Sequence, residues 1–226
     1  MPVIPALRQP TRTFALAAAA VPLALAVVVD DVRVRRQLRT ARRDPLTGLP
    51  GRGVLMDRIA RLAAGDREQL HVLVADADGL KAVNDTLGHA AGDVLIAAIG
   101  RRLDAWAQAR GGVAARFGGD EFGVAVLLSP ADTVREVRAL REELAQPVDH
   151  DGYGVLSPAV SIGVARAGML PAGANASRIL RGADMAMYRV KTGSESCGYI
   201  ATLKDAYAPA VQGRRPGRNG THLPIT

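Results

Sequence analysis

The sequence predicts one α/β domain (α+β by its order of elements), with a central, mainly antiparallel sheet flanked by helices. Three observations lead there. From Asp44 to about Thr202, short apolar runs of strand length alternate with segments of helical period. Two of those runs flank a tight Gly118-Gly119 turn, as the strands of a hairpin do. Of the 226 residues 48% are apolar, enough for one core of ordinary size plus extensions.

The elements follow in chain order. Arg52 to Ala64 has a helical period, and His71 to Ala75 (HVLVA) is an apolar run suited to a buried strand. Gly92 to Ala109 reads as a helix. Val113 to Phe117 and Phe122 to Leu128 read as the two hairpin strands. Pro130 to Leu144 is expected to be helical, with Ser129 or Asp132 as its cap. Val155 to Ala165 supplies one or two strands, Ser177 to Lys191 a helix, and Gly198 to Thr202 a last strand. The domain is therefore expected to span residues 44–202. Gly, Pro, Arg and Asn dominate residues 203–226, which predicts a disordered basic tail.

The first 43 residues have a different character. Phe14 to Val29 is uncharged, and as a helix its 16 residues would span roughly 24 Å, against ~30 Å for a hydrocarbon core. A membrane anchor within residues 1–30 is the favoured reading. A cleaved signal peptide and an interfacial helix are the alternatives. The denser arginines (Arg33, Arg35, Arg36, Arg39, Arg42 and Arg43) follow the run. The positive-inside rule then expects a single-pass protein of the inner, cytoplasmic membrane with its folded domain in the cytoplasm. Residues 31–43 read as a basic linker helix, either resting near anionic lipid or forming a dimerising stalk. Their apolar positions are sparse for a heptad, which favours the former. No separate sensory domain is expected before Asp44.

The formal charge of +7 favours anionic partners. Nucleic acid is not among those expected, because aromatics are only 4% of the chain and no basic stripe is interleaved with them. A lone Cys197 excludes an internal disulfide.

Two acidic motifs carry the chemistry. Asp76-Ala77-Asp78 follows the run HVLVA, where carboxylates at a strand end suit a hard cation such as Mg²⁺. An ordinary polar loop would look the same. In Gly118-Gly119-Asp120-Glu121 two glycines permit a tight turn and close approach of a ligand. The adjacent carboxylates would repel one another without a cation, though a bland acidic hairpin also fits.

Taken together the motifs narrow the choice. Asp44-Pro45-Leu46-Thr47-Gly48-Leu49-Pro50, DADGLKAVNDTLGHAAGD at 76–93, RFGGDEF at 116–122, VSIGVA at 160–165 and ADMAMYRVK at 183–191 occur in this order. Over about 160 residues the chain resembles the GGDEF family of diguanylate cyclases. The resemblance implies a fold akin to nucleotidyl cyclases and polymerase palms, and Mg²⁺- or Mn²⁺-dependent joining of two GTP molecules into cyclic di-GMP with release of two pyrophosphates. Two copies of the domain, each holding one GTP, would have to face each other as a homodimer. It also implies that Asp76, the Ala77 carbonyl and Asp120 bind the metal, with Glu121 beside them organising charge. Asn84 and Asp93 would read guanine, with His89 near, and Lys81 and Lys191 would contact phosphates.

Elementary chemistry agrees with several of these roles. A 3′-hydroxyl must lose a proton and attack an α-phosphorus, which metal ions promote and which Asp120 could assist as acceptor. Guanine presents two N–H donors that suit the acceptor-only Asp93. Asp93 could instead cap a helix, His89 could brace its turn, and Lys81 could be a solvated charge. Asp44 and Arg52 flank the entry turn and are expected to do structural work. Two departures stand out. No Arg follows Lys191 in Thr192-Gly193-Ser194-Glu195, where many members carry one for phosphate. The segment Ala109-Arg110-Gly111-Gly112 lacks the Asp of the family's R-x-x-D product site, so feedback inhibition through that site is not expected.

Overall fold

The strand over Leu70–Ala77, buried along its whole length, takes the centre of the sheet, where both its faces are covered. The computed structural model of the protein describes residues 43–150, 154–194 and 198–207. The elements run α1 (Arg52–Gly65), β1 (Leu70–Ala77), α2 (Leu80–Leu87), α3 (His89–Gln108), β2 (Val113–Gly118), β3 (Glu121–Leu127), α4 (Thr133–Leu144), β4 (Val148–His150), β5 (Gly154–Leu156), β6 (Val160–Arg166), α5 (Ala176–Lys191), β7 (Tyr199–Ile200) and α6 (Leu203–Tyr207). The main sheet has the order β2-β3-β1-β6-β7. Its pairs are antiparallel except β6 with β7. The α/β expectation holds. Residues 14–29, where a membrane anchor is expected, and the linker up to Arg42 lie outside the described residues. Among those described, no helix is long and apolar enough to cross a membrane.

Period-two alternation sorts the sheet residues into two cores. Leu73, Ala75, Phe122, Val124, Ile162 and Val164 face α3 and α4. Leu70, Val72, Val74, Ala125 and Ala165 face α1, α5 and α6. The small hairpin β4–β5 buries Val148 and Leu156 against Ala91, Leu95 and Ala98 of α3. On the second face the sheet omits side chains where α5 crosses it. A Cβ on Gly163 would lie 1.9 Å from the Met187 amide nitrogen and 2.4 Å from the Ala183 carbonyl oxygen. The glycine in VSIGVA thus lets a helix backbone rest directly on β6.

Several boundaries differ from expectation for identifiable reasons. β1 continues through Asp76 and Ala77, because β3 and β6 pair with it along that length. The helix expected from Gly92 is preceded by α2 and begins at His89, the two being separated by Gly88 at φ 86°. Pro130–Asp132 forms a 3₁₀ turn before α4, and neither Ser129 nor Asp132 makes a side-chain cap. Where the tail was expected to begin, Leu203–Tyr207 is helical instead. The reason is Asp205, which is fully buried. Its carboxylate accepts from the Thr202 amide at 2.7 Å, the Thr202 hydroxyl at 2.9 Å and Arg189 Nε at 2.7 Å. The Asp205 carboxylate thus satisfies the amide of the residue before the helix, as the acidic member of a capping box does, and Arg189 ties it to α5. Replacing Arg189 by Met is expected to cost roughly 3 kcal/mol, since it strands a buried carboxylate. Asp205→Asn keeps an acceptor for Thr202 and should cost less. Equal losses in thermal unfolding would refute a charge-based role.

Candidate active site

The centre of the site is a row across three strands. Asp76 on β1 lies opposite Glu121 on β3 and opposite Ser161 on β6. Directly opposed residues project to the same face, here the one that carries α1 and α5. All three are buried. The Asp76 carboxyl is pushed up to about 6, chiefly by burial; the Lys191 ammonium opposes the rise, and the charges of Asp120 and Glu121 add to it. Lys191, the last residue of α5, donates a hydrogen bond to Asp76 Oδ1. Asp78 is engaged structurally: its amide donates to Ala159 O at 2.8 Å, and both its carboxylate oxygens lie 2.9 Å from Ser161 Oγ.

The turn beside this row is held from two sides. Gly118 at φ 133° and Gly119 at φ 56° adopt conformations that side chains disfavour, which is why the turn needs glycines there. The Ala77 amide donates to Asp120 O at 3.1 Å, fastening β1 to the turn. Arg116 donates through Nε and Nη2 to Gly119 O, at 3.1 and 2.6 Å, and through Nη1 to Asp44 Oδ1 at 2.8 Å. Thr47 donates to the same Asp44 oxygen through its amide and hydroxyl. Arg52 lies 5.1 Å over the Phe117 ring. Asp44 and Arg52 thus both make contacts that brace the turn strands. Arg116→Met is expected to cost about 2 kcal/mol, the worth of charge-assisted bonds at a partly buried site. It should also speed hydrogen exchange at the Ala77 amide, and an unchanged exchange rate there would refute the clamp.

The other expected residues lie on α2 and α3. Lys81, His89 and Asp93 are exposed. Asp93 is in the second turn of α3, whose cap is Gly88, so helix capping is not its role. Asn84 packs against Gly92: a Cβ there would meet Asn84 Oδ1 at 1.9 Å. The glycine preceding Asp93 therefore seats Asn84, bringing the two guanine candidates into neighbouring positions. Asn84 Oδ1 is buried and has no hydrogen-bond partner among the described residues. Arg110 is committed elsewhere. It donates to Glu136 Oε2 through Nε at 3.0 Å and lies 4.2 Å over the Trp106 ring. A groove of about 540 Å³, lined by α4 and β7, takes in none of these site residues.

The donor chemistry fits a hard divalent cation. Asp76, Asp120 and Glu121 supply only oxygen, and main-chain carbonyls of Ala77 and the turn add more. Among the described residues no three Asp, Glu, His or Cys side chains form a ready metal cage. Sequence reasoning missed Ser161, Arg116 and the Lys191–Asp76 pair. RFGGDEF and VSIGVA contain the first two, but nothing local indicates their partners.

Comparison with known proteins agrees with this geometry. The family model described as "Diguanylate cyclase, GGDEF domain" matches residues 41–197. An uncharacterized 19.3 kDa protein of Streptomyces ambofaciens is 43% identical over 69% of this chain and 81% of its own length. Diguanylate cyclase TpbB of Pseudomonas aeruginosa is 36% identical over 73% of this chain, which spans only 38% of that relative. The solved GGDEF domain of TpbB superposes with a TM-score of 0.62 at 33% identity, covering 73% of this chain and 96% of that one. The GGDEF domain of DgcB from Caulobacter crescentus, solved in complex with c-di-GMP, gives 0.61 at 27% identity, covering 74% and 95%. With its signature turn set beside the Glu121–Asp76–Ser161 row, this chain belongs to the GGDEF family of diguanylate cyclase domains.

Proposed function

We propose that the protein condenses two GTP molecules into cyclic di-GMP, with Mg²⁺ or Mn²⁺, at the interface of two copies of its domain. The observation that carries this reading is the joint placement of Asp76, Asp120 and Glu121 at one end of the sheet, Asp76 and Glu121 on buried paired strands and Asp120 on the turn fastened to them. Asp76 and Asp120, with the Ala77 carbonyl, would hold the cation. When bound, the cation would neutralise phosphate charge and ease deprotonation of the attacking 3′-hydroxyl. Asp120 is the acceptor for that proton. Glu121 adds negative charge that holds the cation against the turn. The free acceptor of Asn84 and the carboxylate of Asp93 match the N1–H and N2–H donors of guanine. Lys81 and Lys191 supply charge for the phosphates, with His89 at the start of α3 beside the base. Residues 14–29 would anchor the chain in the inner membrane with the domain in the cytoplasm, which a reporter fused after Thr226 tests.

The test is product identification. The full chain, shown to be dimeric, is incubated with Mg²⁺ and GTP, ATP or both, and products are separated and weighed. Cyclic di-GMP from GTP alone is expected, with loss of at least about a thousandfold in rate in Asp120→Ala. Product that survives this substitution would refute the site. A second reading is a catalytically silent domain that binds nucleotide or a partner protein. Its support is the turn after Lys191, where Thr192 Oγ1 bonds to Tyr188 O, Arg189 O and Ser194 Oγ and no Arg is supplied for phosphate. GTP binding without product would favour it.

A further inference from the structure

The Lys191 ammonium rests on the same Asp76 carboxylate that the cation must use. Lys191 ends α5, and α5 is fixed to the sheet through Gly163 and to α6 through Arg189 and Asp205. Its side chain reaches a carboxylate whose own side chain is 5% exposed, while its own is 26% exposed. Asp76 is thus nearly sealed, whereas the lysine has a path to solvent. Asp76 lies within the field of two further carboxylates, Asp120 and Glu121. The lysine therefore acts as a resident counter-ion for the acidic row.

Resting on the assignment of Asp76 as a metal ligand, we propose that Lys191 competes with the divalent cation for Asp76, so that cation and nucleotide bind in mutual dependence. A cation arriving alone must displace the ammonium, which then exchanges a carboxylate partner for water alone. When a triphosphate arrives as well, its oxygens offer the ammonium a new partner and free Asp76 for the cation. Each ligand then favours the other, and by linkage the effect is reciprocal. This assigns Lys191 a gating role beyond phosphate contact: it keeps the acidic row from filling with cation before substrate is present. A lysine suits this better than an arginine, because its charge is compact and its stem flexible.

The test reads metal binding and needs no turnover. Free Mn²⁺ is followed by electron paramagnetic resonance as it is titrated into the full chain, with and without a non-reactive α,β-methylene analogue of GTP. Wild type, Lys191→Met and Lys191→Arg are compared, each with its thermal unfolding recorded. Without nucleotide, Lys191→Met is expected to bind Mn²⁺ on the order of tenfold more tightly than wild type. The analogue should tighten Mn²⁺ binding in wild type and do so much less in Lys191→Met. Lys191→Arg keeps the charge and should stay near wild type in the absence of nucleotide. Unchanged or weaker Mn²⁺ binding in Lys191→Met would overturn the proposal and leave Lys191 as a phosphate ligand alone, as would failure of both proteins to bind Mn²⁺ without nucleotide. Asp76→Ala added to Lys191→Met should abolish the gain. If it does not, the metal assignment itself has failed, independently of the competition.

Discussion

Gly163→Ala is expected to lower the unfolding midpoint by roughly 10 °C or more, from a loss of about 4 kcal/mol. The usual cost of overpacking is smaller, because neighbouring side chains can rotate away. Here the methyl would meet backbone: Met187 N at 1.9 Å, Ala183 O at 2.4 Å and Ala186 C at 2.6 Å. Backbone in the middle of a helix cannot yield alone, so α5 as a whole must lift from β6. That separates Ile179, Leu180, Ala183 and Met187 from the sheet and withdraws Lys191 from Asp76. A control comes from Gly53, near the start of α1, where an added Cβ meets nothing within 4 Å. Gly53→Ala should be neutral or stabilising by up to about 1 kcal/mol. Thermal denaturation of both variants decides the matter, and a Gly163→Ala protein as stable as wild type would refute the close approach.

Asp76→Asn is expected to move activity and stability in opposite directions. Cyclase activity should fall by about three orders of magnitude, since a proposed metal ligand is lost. Stability in EDTA should rise. The Asp76 carboxyl titrates near 6 in the folded protein and near 3.8 when unfolded. The folded state therefore holds this proton more tightly, and stability from this group falls as pH rises from about 4 through 6. Above that window the ionised, buried carboxylate opposes folding by roughly 3 kcal/mol, taking about 1.4 kcal/mol per pKa unit. Asparagine removes the charge and keeps the shape. The gain should thus be near its full size at pH 8 and close to zero at pH 4. Chemical denaturation at the two pH values measures it, and equal effects at both would show that Asp76 is not held uncomfortably in the fold.

The legible and illegible parts of the molecule divide by range. β1, β3 and α5 were readable because each carries its pattern within a dozen or so residues. α2 escaped because LKAVNDTL is only two turns long and lies between Gly79 and Gly88, too short for its period to stand out. β4 escaped because VDH pairs only with β5, and three residues carry no alternation to detect. The end of β1 was misplaced because acidic residues seldom continue a buried strand; pairing on both flanks carried Asp76 inward. In the site, the carboxylates and the guanine candidates were legible from motif spacing. The Lys191–Asp76 pair, separated by 115 positions, was not. It depends on where α5 lands on the sheet, which Gly163 decides and which the identity of Lys191 alone does not disclose.

The buried Asp205 also bears on where one should cut the gene. The family match ends at residue 197, yet the cooperative unit continues to at least Ala206, which is fully buried with Asp205. A fragment trimmed to the family boundary would lose β7, leave Arg189 without its carboxylate, and open the small-residue seam formed by Gly182, Ala165, Ala201 and Ala206. Such a fragment would retain every residue of the signature motifs and still lack the strap across the last turn of α5. Portability of this domain between fusion proteins thus depends on residues 198–207, and a chimera designed on motif content alone would carry the chemistry without the splint that aligns it.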